Sequence, residues 1–290
     1  MREGCMEKNK KDIKARVREG YGKIARQGGS CCPTSSCCGG SNLAQNVSKT
    51  VGYTEQEMRV VSEGSNLGLG CGNPVALASL KEGDVVLDLG SGAGFDAFLA
   101  AQRIGETGRV IGVDMTPEMV KKAKANARKG GYTNVEFRLG EIEKLPVKDG
   151  AIDVIISNCV INLSPEKRKV FEEAFRVLKP GGRLMVSDLV LVKELPAAIK
   201  GSIEAYVGCL AGAARREDYL RFLKQAGFES VTVISQTSYP IEAMANDATA
   251  KAVMDSGDVK KEDVEKLEDA VVSIKVSAIR PPGRKKSRRS

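Results

Sequence analysis

The sequence predicts an α/β fold built on a doubly wound, mostly parallel sheet. Three observations predict it. Apolar, strand-like runs alternate with helix-like segments between residues 85 and 191. The first run, Val85–Leu89, leads into three alternating glycines, Gly90, Gly92 and Gly94, a pattern that suits close backbone approach to a ligand. The strands are continuously apolar, as expected where helices cover both faces of a sheet.

The elements follow in order. Residues 8–26 carry apolar positions at helical spacing and are predicted to form an amphipathic helix. Residues 28–42 are predicted to form a flexible loop. Thr54 and Glu57 make a capping box, which predicts a short helix ending near Val61. Asn73 and Pro74 are predicted to open a helix through Leu80. The remaining predicted strands are 85–90, 109–114, 135–139, 152–157, 184–191, 231–234 and 271–279. The remaining predicted helices are 94–104, 116–130, one through 171–178, most of 192–226, and 241–270.

Four parts are predicted along the chain. They are N-terminal helices with a Cys-rich loop (1–72), a ligand-binding core (73–192), substrate-side helices with C-terminal strands in a smaller α+β region (193–280), and a basic disordered tail (281–290).

Composition narrows the function. The 290 residues include 42% hydrophobic and 28% charged residues, with no apolar run near the roughly 20 residues of a membrane span. The N-terminus lacks an apolar signal core, so we expect a cytoplasmic protein with no membrane partner. Histidine is absent, which removes the commonest general base and the commonest metal ligand.

The net charge of +8 is concentrated at one end. Six Lys and Arg residues lie within 280–290, leaving about +2 for the rest of the chain. Such a tail can hold RNA through counterion release. A solubilising role is favoured, and we predict no nucleic-acid partner.

The glycine turn is not a dinucleotide fingerprint. That fingerprint needs glycine at position 95, where Phe95 stands, and the chain has no Gly-Lys-Ser/Thr phosphate loop. Asp88 within the turn disfavours a pyrophosphate and suits an ammonium or sulfonium group. Asp114 ends the second strand, where a carboxylate can accept both hydroxyls of a ribose, and Glu141 follows the third strand.

This constellation resembles the S-adenosylmethionine-dependent methyltransferases of Rossmann-like fold, over about residues 80–190. Residue by residue, the resemblance implies Asp88, Gly90 and Gly92 at the methionine end of the donor, Asp114 at the ribose, Met115, Glu141 and Ile142 around the base, and Asn158 facing the methionine moiety. If the resemblance were incidental, the two aspartates would cap helices and the glycines would serve packing.

Eight cysteines, at 5, 31, 32, 37, 38, 71, 159 and 209, indicate metalloid binding or redox chemistry. Cys159 follows the fourth strand, Cys71 precedes a predicted helix N-terminus that favours thiolate, and Cys209 lies among small residues expected to cover the donor pocket. Zinc is disfavoured because gaps of 88 and 50 residues, with no His, do not match its short paired spacings. Buried cysteines can also be inert small hydrophobes.

At these cysteines the chain resembles the arsenite methyltransferases. The matching motifs are Leu69–Pro74, Ser157–Leu163 and Gly208–Ala213. The resemblance implies methyl transfer from S-adenosylmethionine to trivalent arsenic held by Cys71, Cys159 and Cys209, in arsenic detoxification. It also implies an N-terminal cysteine that cooperates with Cys71. A disulfide between these two cysteines would require a thiol reductant such as thioredoxin or glutathione for turnover.

Two other functions stay open at this point. One is a C- or O-methyltransferase of a small organic molecule, with incidental cysteines; the other is a non-catalytic metalloid-sequestering or nucleic-acid-binding protein. A monomer is expected. The sequence does not determine the oligomeric state, the number of methyl groups added, which cysteine of 31, 32, 37 and 38 cooperates with Cys71, the reductant, the tail's role, or whether antimony is accepted.

Overall fold

The computed structural model describes residues 2–26, 40–62, 64–74, 79–195, 212–238 and 270–283. The helices are α1 (Arg2–Arg26), α2 (Gly40–Thr50), α3 (Glu55–Val60), α4 (Phe95–Ile104), α5 (Pro117–Lys129), α6 (Lys167–Val177) and α7 (Arg216–Gln225). The strands are β1 (Val85–Leu89), β2 (Arg109–Asp114), β3 (Val135–Leu139), β4 (Ile152–Asn158), β5 (Leu178–Leu191), β6 (Glu229–Ser238) and β7 (Val271–Ile279).

The seven strands form one sheet in the order β3-β2-β1-β4-β5-β7-β6. Strands β1 to β5 are parallel, and β7 runs antiparallel to both its neighbours, β5 and β6. The predicted doubly wound, mostly parallel sheet is therefore confirmed. The order reverses between β1 and β4, where the carboxyl ends of parallel strands leave a crevice for ligands.

Successive side chains of β1 are buried on opposite faces of the sheet. Val86 packs with Ala97 and Phe98 of α4, whereas Leu87 packs on the other face with Val170 and Phe171 of α6. Both faces are covered, which is why the strands read as continuous apolar runs. Among the described residues, no helix is both long and apolar enough to cross a membrane.

Most predicted boundaries agree with the structure to within a few residues, including the capping box at Thr54 and Glu57. One error concerns β5, which begins at Leu178 rather than at 184. Gly181 and Gly182 lie inside the strand because backbone hydrogen bonds tie them to Arg280, beyond the end of β7 (2.8 and 2.9 Å). The sequence presented these glycines as a turn.

Two further predictions need correction. The loop predicted for 28–42 ends before Gly40, where α2 begins. This helix was not predicted because Gly, Ser and Asn, which favour turns, are frequent in its first residues. Ser79 and Leu80 are not helical, and Ser79 has a φ of +47°. The rest of that loop, most of the helix predicted from Asn73, the segment 241–269 and the end of the tail lie outside the described residues. The division into four parts stays a prediction, although β6 and β7 share the sheet of the core.

Candidate active site

A cleft opens at the carboxyl ends of β1, β2 and β4. About 1070 Å³ of space not filled by atoms lies between its walls, part of it open to solvent. Its floor is the turn after β1, and Lys14, Val17 and Tyr21 of α1 line it from the opposite side. Loop 65–70, which leads to Cys71, also lines the cleft. The N-terminal helix is therefore part of the site.

Two glycines of the turn have different surroundings. A Cβ at Gly90 would lie 2.3 Å from Cγ2 of Val160, and the residue has a φ of +66°. A Cβ at Gly92 would meet nothing within 4 Å, since that position faces the cleft at a φ of +50°. Gly90 thus allows β1 and β4 to approach, whereas Gly92 leaves space for a ligand.

Asp88 and Asp96 make the cleft acidic. Both are buried and line the cleft, and burial raises the pKa of Asp88 well above its usual range, with the nearby Asp96 and Asp114 raising it further. Oδ2 of Asp88 has no hydrogen-bond partner among the described residues. Burial also raises the pKa of Asp96 to about 6, although hydrogen bonds from Tyr53 and Asn158 lower it. An unpaired buried carboxylate on a cleft wall fits a cationic ligand.

Asp114 has a partly satisfied carboxylate. Its Oδ2 accepts the backbone N–H of Gly92 at 2.9 Å, and its Oδ1 accepts that of Thr116 at 2.8 Å. The Thr116 side chain also hydrogen-bonds the carboxylate, which leaves about one of its four acceptor positions for a ligand hydroxyl. Met115 lines the cleft beside it.

The acidic residue that lines the cleft after β3 is Glu143, together with Ile142. Glu141, expected beside the cofactor base, instead pairs with Lys14 (2.9 Å) and Arg18 (3.3 Å) of α1. Glu143 is buried, accepts a hydrogen bond from Ser164 at 2.6 Å, and pairs with Lys14 at 2.9 Å. Both carboxylates therefore share Lys14, but the Glu143 side chain is buried against the cleft whereas that of Glu141 is partly exposed.

Asn158 connects the cleft to the loop that carries Cys71. Its Oδ1 accepts the backbone N–H of Cys71 at 3.0 Å. Its Nδ2 lies within hydrogen-bonding distance of the oxygens of Gly72 (2.7 Å), Tyr53 (2.8 Å) and Asp96 (3.1 Å). The side chain predicted to face the methionine moiety therefore also fixes the thiol loop.

The structure brings Cys71 and Cys159 together as a disulfide with a Cα–Cα distance of 5.8 Å. The disulfide implied for Cys71 thus has a different partner here. Cys159 lines the cleft and adopts a left-handed φ of +55°, a strained conformation for a non-glycine residue. The sulfurs and a carboxylate oxygen of the buried Asp188 all lie within 4.8 Å of one another. Burial raises the pKa of Asp188 to about 7.

The other predicted thiols cannot be placed in this site. Cys209 and the cysteines at 31, 32, 37 and 38 lie outside the described residues.

The family model and the solved structure that match this chain are those of methyltransferases, in agreement with the geometry of the cleft. The family described as "Methyltransferase domain" matches residues 80–227. The arsenic(III) S-adenosylmethionine methyltransferase CrArsM of Chlamydomonas reinhardtii has a similar structure, with a TM-score of 0.61, 32% identity, and coverage of 83% of this chain and 74% of that one. The chain belongs to the methyltransferase-domain family, in its arsenite methyltransferase branch.

Curated relatives extend the same result. The arsenite methyltransferase of Halobacterium salinarum is 46% identical over 78% of this chain and 60% of its own length. The arsenite methyltransferase of Aquipseudomonas alcaligenes is 39% identical over 73% of this chain and 61% of its own length. The chain therefore spans about three fifths of the length of these relatives.

Within this family frame, three buried site residues were missed by sequence reasoning. Asp96 lies in the first turn of α4, just after the glycine turn, and an acidic residue at a helix N-terminus was a usable signal. Glu143 lies two residues after Glu141, which the resemblance implies at the cofactor base. Asp188 lies within a long apolar strand, and a charged residue there is itself unusual enough to mark a site.

Proposed function

We propose that this chain methylates trivalent arsenic, first arsenite and then methylated arsenicals, with S-adenosylmethionine as the methyl donor, and so detoxifies arsenic. The observation that carries the proposal is the position of Cys159, which belongs to a pair of cysteines and lines the cleft that also contains Asp88 and Asp114. Two thiols are the ligands that a soft, thiophilic element prefers.

The cleft residues suit the donor. When bound, S-adenosylmethionine supplies an electrophilic methyl group on a positively charged sulfur. Asp88, buried with an unpaired oxygen among the described residues, fits the positive charges of its methionine end, where Gly90 and Gly92 keep the backbone open. Asp114 is proposed to accept the ribose hydroxyls. Met115, Ile142 and, from the resemblance, Glu141 are assigned to the base, and Asn158 to the methionine moiety.

The thiolates make arsenic the nucleophile. Reduced Cys71 and Cys159, with Cys209 as the proposed third ligand, would hold arsenic and raise its electron density, so that its lone pair attacks the methyl carbon. The As–C bond would form as the sulfonium C–S bond breaks and S-adenosylhomocysteine leaves, which takes arsenic formally from As(III) to As(V). Two electrons from the thiol reductant would then return it to As(III) before the next transfer. A lone pair has no proton to lose, so the reaction needs no general base, in keeping with a chain that has no histidine. Catalysis then rests on positioning, which supplies on the order of 7–11 kcal/mol at best.

Reduction of the Cys71–Cys159 disulfide must precede arsenic binding, because a disulfide sulfur is not a thiolate. We propose a thiol reductant of the thioredoxin or glutathione type, which reduces this disulfide while its own thiols are oxidised to a disulfide. An N-terminal cysteine that alternates as the partner of Cys71, a cytoplasmic location and a monomeric state are further parts of the proposal.

The test is product identification. Reduced protein, arsenite, thiol and methyl-labelled S-adenosylmethionine should yield labelled methylarsenicals. Cys71→Ser and Cys159→Ser should each lower this rate at least about 100-fold, while calorimetry shows unchanged binding of S-adenosylmethionine. Arsenite methylation at the normal rate by Cys159→Ser would refute the proposal and favour a small organic acceptor. No binding of S-adenosylmethionine would favour a sequestering protein.

A further inference from the structure

Asp188 is a buried carboxylate that the mechanism above does not use. It lies in β5, has no exposed surface, and places an oxygen within 4.8 Å of the sulfurs of Cys71 and Cys159. A charged group is rarely buried without a partner or a ligand. Its neighbours indicate what that ligand is.

The hydrogen bonds to Asp188 leave room for one more donor. Oδ1 accepts Nδ2 of Asn162 at 2.8 Å and the backbone N–H of Leu189 at 3.0 Å. Oδ2 accepts the hydroxyl of Tyr219 at 3.1 Å. A carboxylate has about four acceptor positions. These three donors hold the group rigidly, and the backbone N–H of Asn162 also lowers its pKa. Oδ2 accepts fewer of the measured hydrogen bonds than Oδ1 and is the oxygen with room for a further donor.

The chemistry of arsenite supplies a donor for that position. When As(OH)₃ reacts with two thiols, two S–As bonds form, two As–O bonds break, and the two thiol protons leave with the hydroxyls as two waters. The product, (Cys–S)₂As–OH, keeps one hydroxyl, and the oxidation state of arsenic does not change. Arsenic bonded to Cys71 and Cys159 would have this hydroxyl within reach of Asp188.

We propose that Asp188 accepts a hydrogen bond from the hydroxyl of arsenic held by Cys71 and Cys159, and that it thereby selects arsenite at the two-thiol stage of binding. The inference rests on the proposed function, because it takes arsenic as the ligand of the pair. Methylarsonous acid, CH₃As(OH)₂, loses both hydroxyls to the same two thiols and turns a methyl group toward the carboxylate. Asp188 therefore favours the unmethylated substrate over its first product. A third thiolate from Cys209 would displace the hydroxyl as the last water.

The test measures binding without S-adenosylmethionine. Reduced full-length protein is dialysed to equilibrium against arsenite or methylarsonous acid, and bound arsenic is quantified by mass spectrometry. Every protein carries Cys209→Ser, so that the hydroxyl is retained, and serine at positions 31, 32, 37 and 38, so that this cluster does not bind arsenic. The readout is the ratio of the two affinities, which cancels general effects on the thiols.

Asp188→Asn and Asp188→Ala are each expected to lower the affinity ratio of arsenite to methylarsonous acid about tenfold. Tyr219→Phe is the matched control, since it removes a donor to the same carboxylate and leaves the carboxylate in place, so its ratio should not change. An unchanged ratio in both Asp188 variants, or an equal loss for both arsenicals, would overturn the inference. If binding selectivity is as expected and no methyl transfer occurs, the proposed activity fails and the inference stands.

Discussion

Oδ1 of Asn158 accepts the backbone N–H of Cys71 at 3.0 Å, and this hydrogen bond ties the loop bearing one thiol to the strand end bearing the other. Ser273 of β7 supports the same loop by donating to the carbonyl oxygen of Cys71 at 2.8 Å. The backbone of Cys71 is therefore held on both sides, at its N–H by Asn158 and at its carbonyl oxygen by Ser273.

Replacement of Asn158 should lower the free energy of unfolding and weaken arsenite binding, by an amount that depends on the new side chain. Asn158→Ala leaves the Cys71 N–H and the Gly72 carbonyl without this partner and should lower the free energy of unfolding by about 1–3 kcal/mol. Asn158→Asp should be worse, because a carboxylate there faces Asp96. Both should weaken arsenite binding, measured by equilibrium dialysis alongside urea unfolding.

Asn134→Ala is the matched control for Asn158, because its amide donates to the Gly105 carbonyl at 2.9 Å and Asn134 does not line the cleft. It should cost stability without weakening arsenite binding. Better stability in Asn158→Asp than in Asn158→Ala would contradict the network as described.

The glycine turn predicts a contrast between two similar substitutions. Gly90→Ala drives a methyl group into Val160, which adjoins Cys159, so it should lower both the unfolding free energy and arsenite binding. Gly92→Ala meets open space and should cost only about 1–2 kcal/mol for its left-handed backbone. It should instead weaken binding of S-adenosylmethionine, measured by calorimetry. Equal destabilisation by the two substitutions would contradict the assignment.

These contrasts show how far the sequence could lead. Asp88, Gly90 and Asp114 were found because each marks the end of an apolar strand, and Cys159 because it follows another. The pairing of strands in a doubly wound sheet then places these ends together. Local pattern and general topology were sufficient for this part of the site.

The rest depended on packing that the sequence does not display. Asp188 lies near the thiols because β5 pairs with β4 on one side and β7 on the other, with Ser187 beside Asn158 in the register. Glu143 rather than Glu141 lines the cleft because of one turn after β3. The amphipathic character of α1 was predictable, but its place over the cleft was not.

The ion pair between Lys14 and Glu143 should stabilise α1 over the cleft. Lys14→Met leaves Glu143, whose side chain is 5% exposed, without its cation. Loss of one partner of a buried pair is strongly destabilising, so we expect a loss of about 2 kcal/mol or more in urea unfolding, and faster proteolysis within α1.

Lys10→Met is the matched control, because Lys10 pairs with Glu166 from the same helix at a more exposed site. It should cost under about 1 kcal/mol. Indistinguishable unfolding of the two variants would show that the pair with Glu143 contributes nothing beyond an exposed contact.

The raised pKa of Asp96 predicts a pH dependence of stability with a defined sign. Between its usual value near 4 and about 6, the folded chain retains a proton at Asp96 that the unfolded chain releases. The contribution of Asp96 to the free energy of unfolding is therefore fully present below pH 4 and is lost as the pH rises through 6. Asp96→Asn removes the titration, so its unfolding free energy relative to the parent should rise by up to about 3 kcal/mol between pH 4 and 7.

Glu173 provides the opposite case for the same measurement. Arg176 lowers the pKa of Glu173, so the stability from this group is present above its unfolded value and is lost as pH falls through the folded one. The destabilisation caused by Glu173→Gln should therefore shrink toward acid pH. Urea unfolding should give slopes of opposite sign relative to the parent, for Asp96→Asn between pH 4 and 7 and for Glu173→Gln below the usual glutamate value near 4.5. A flat difference for Asp96→Asn would mean that burial does not raise the pKa of this carboxyl in the folded chain.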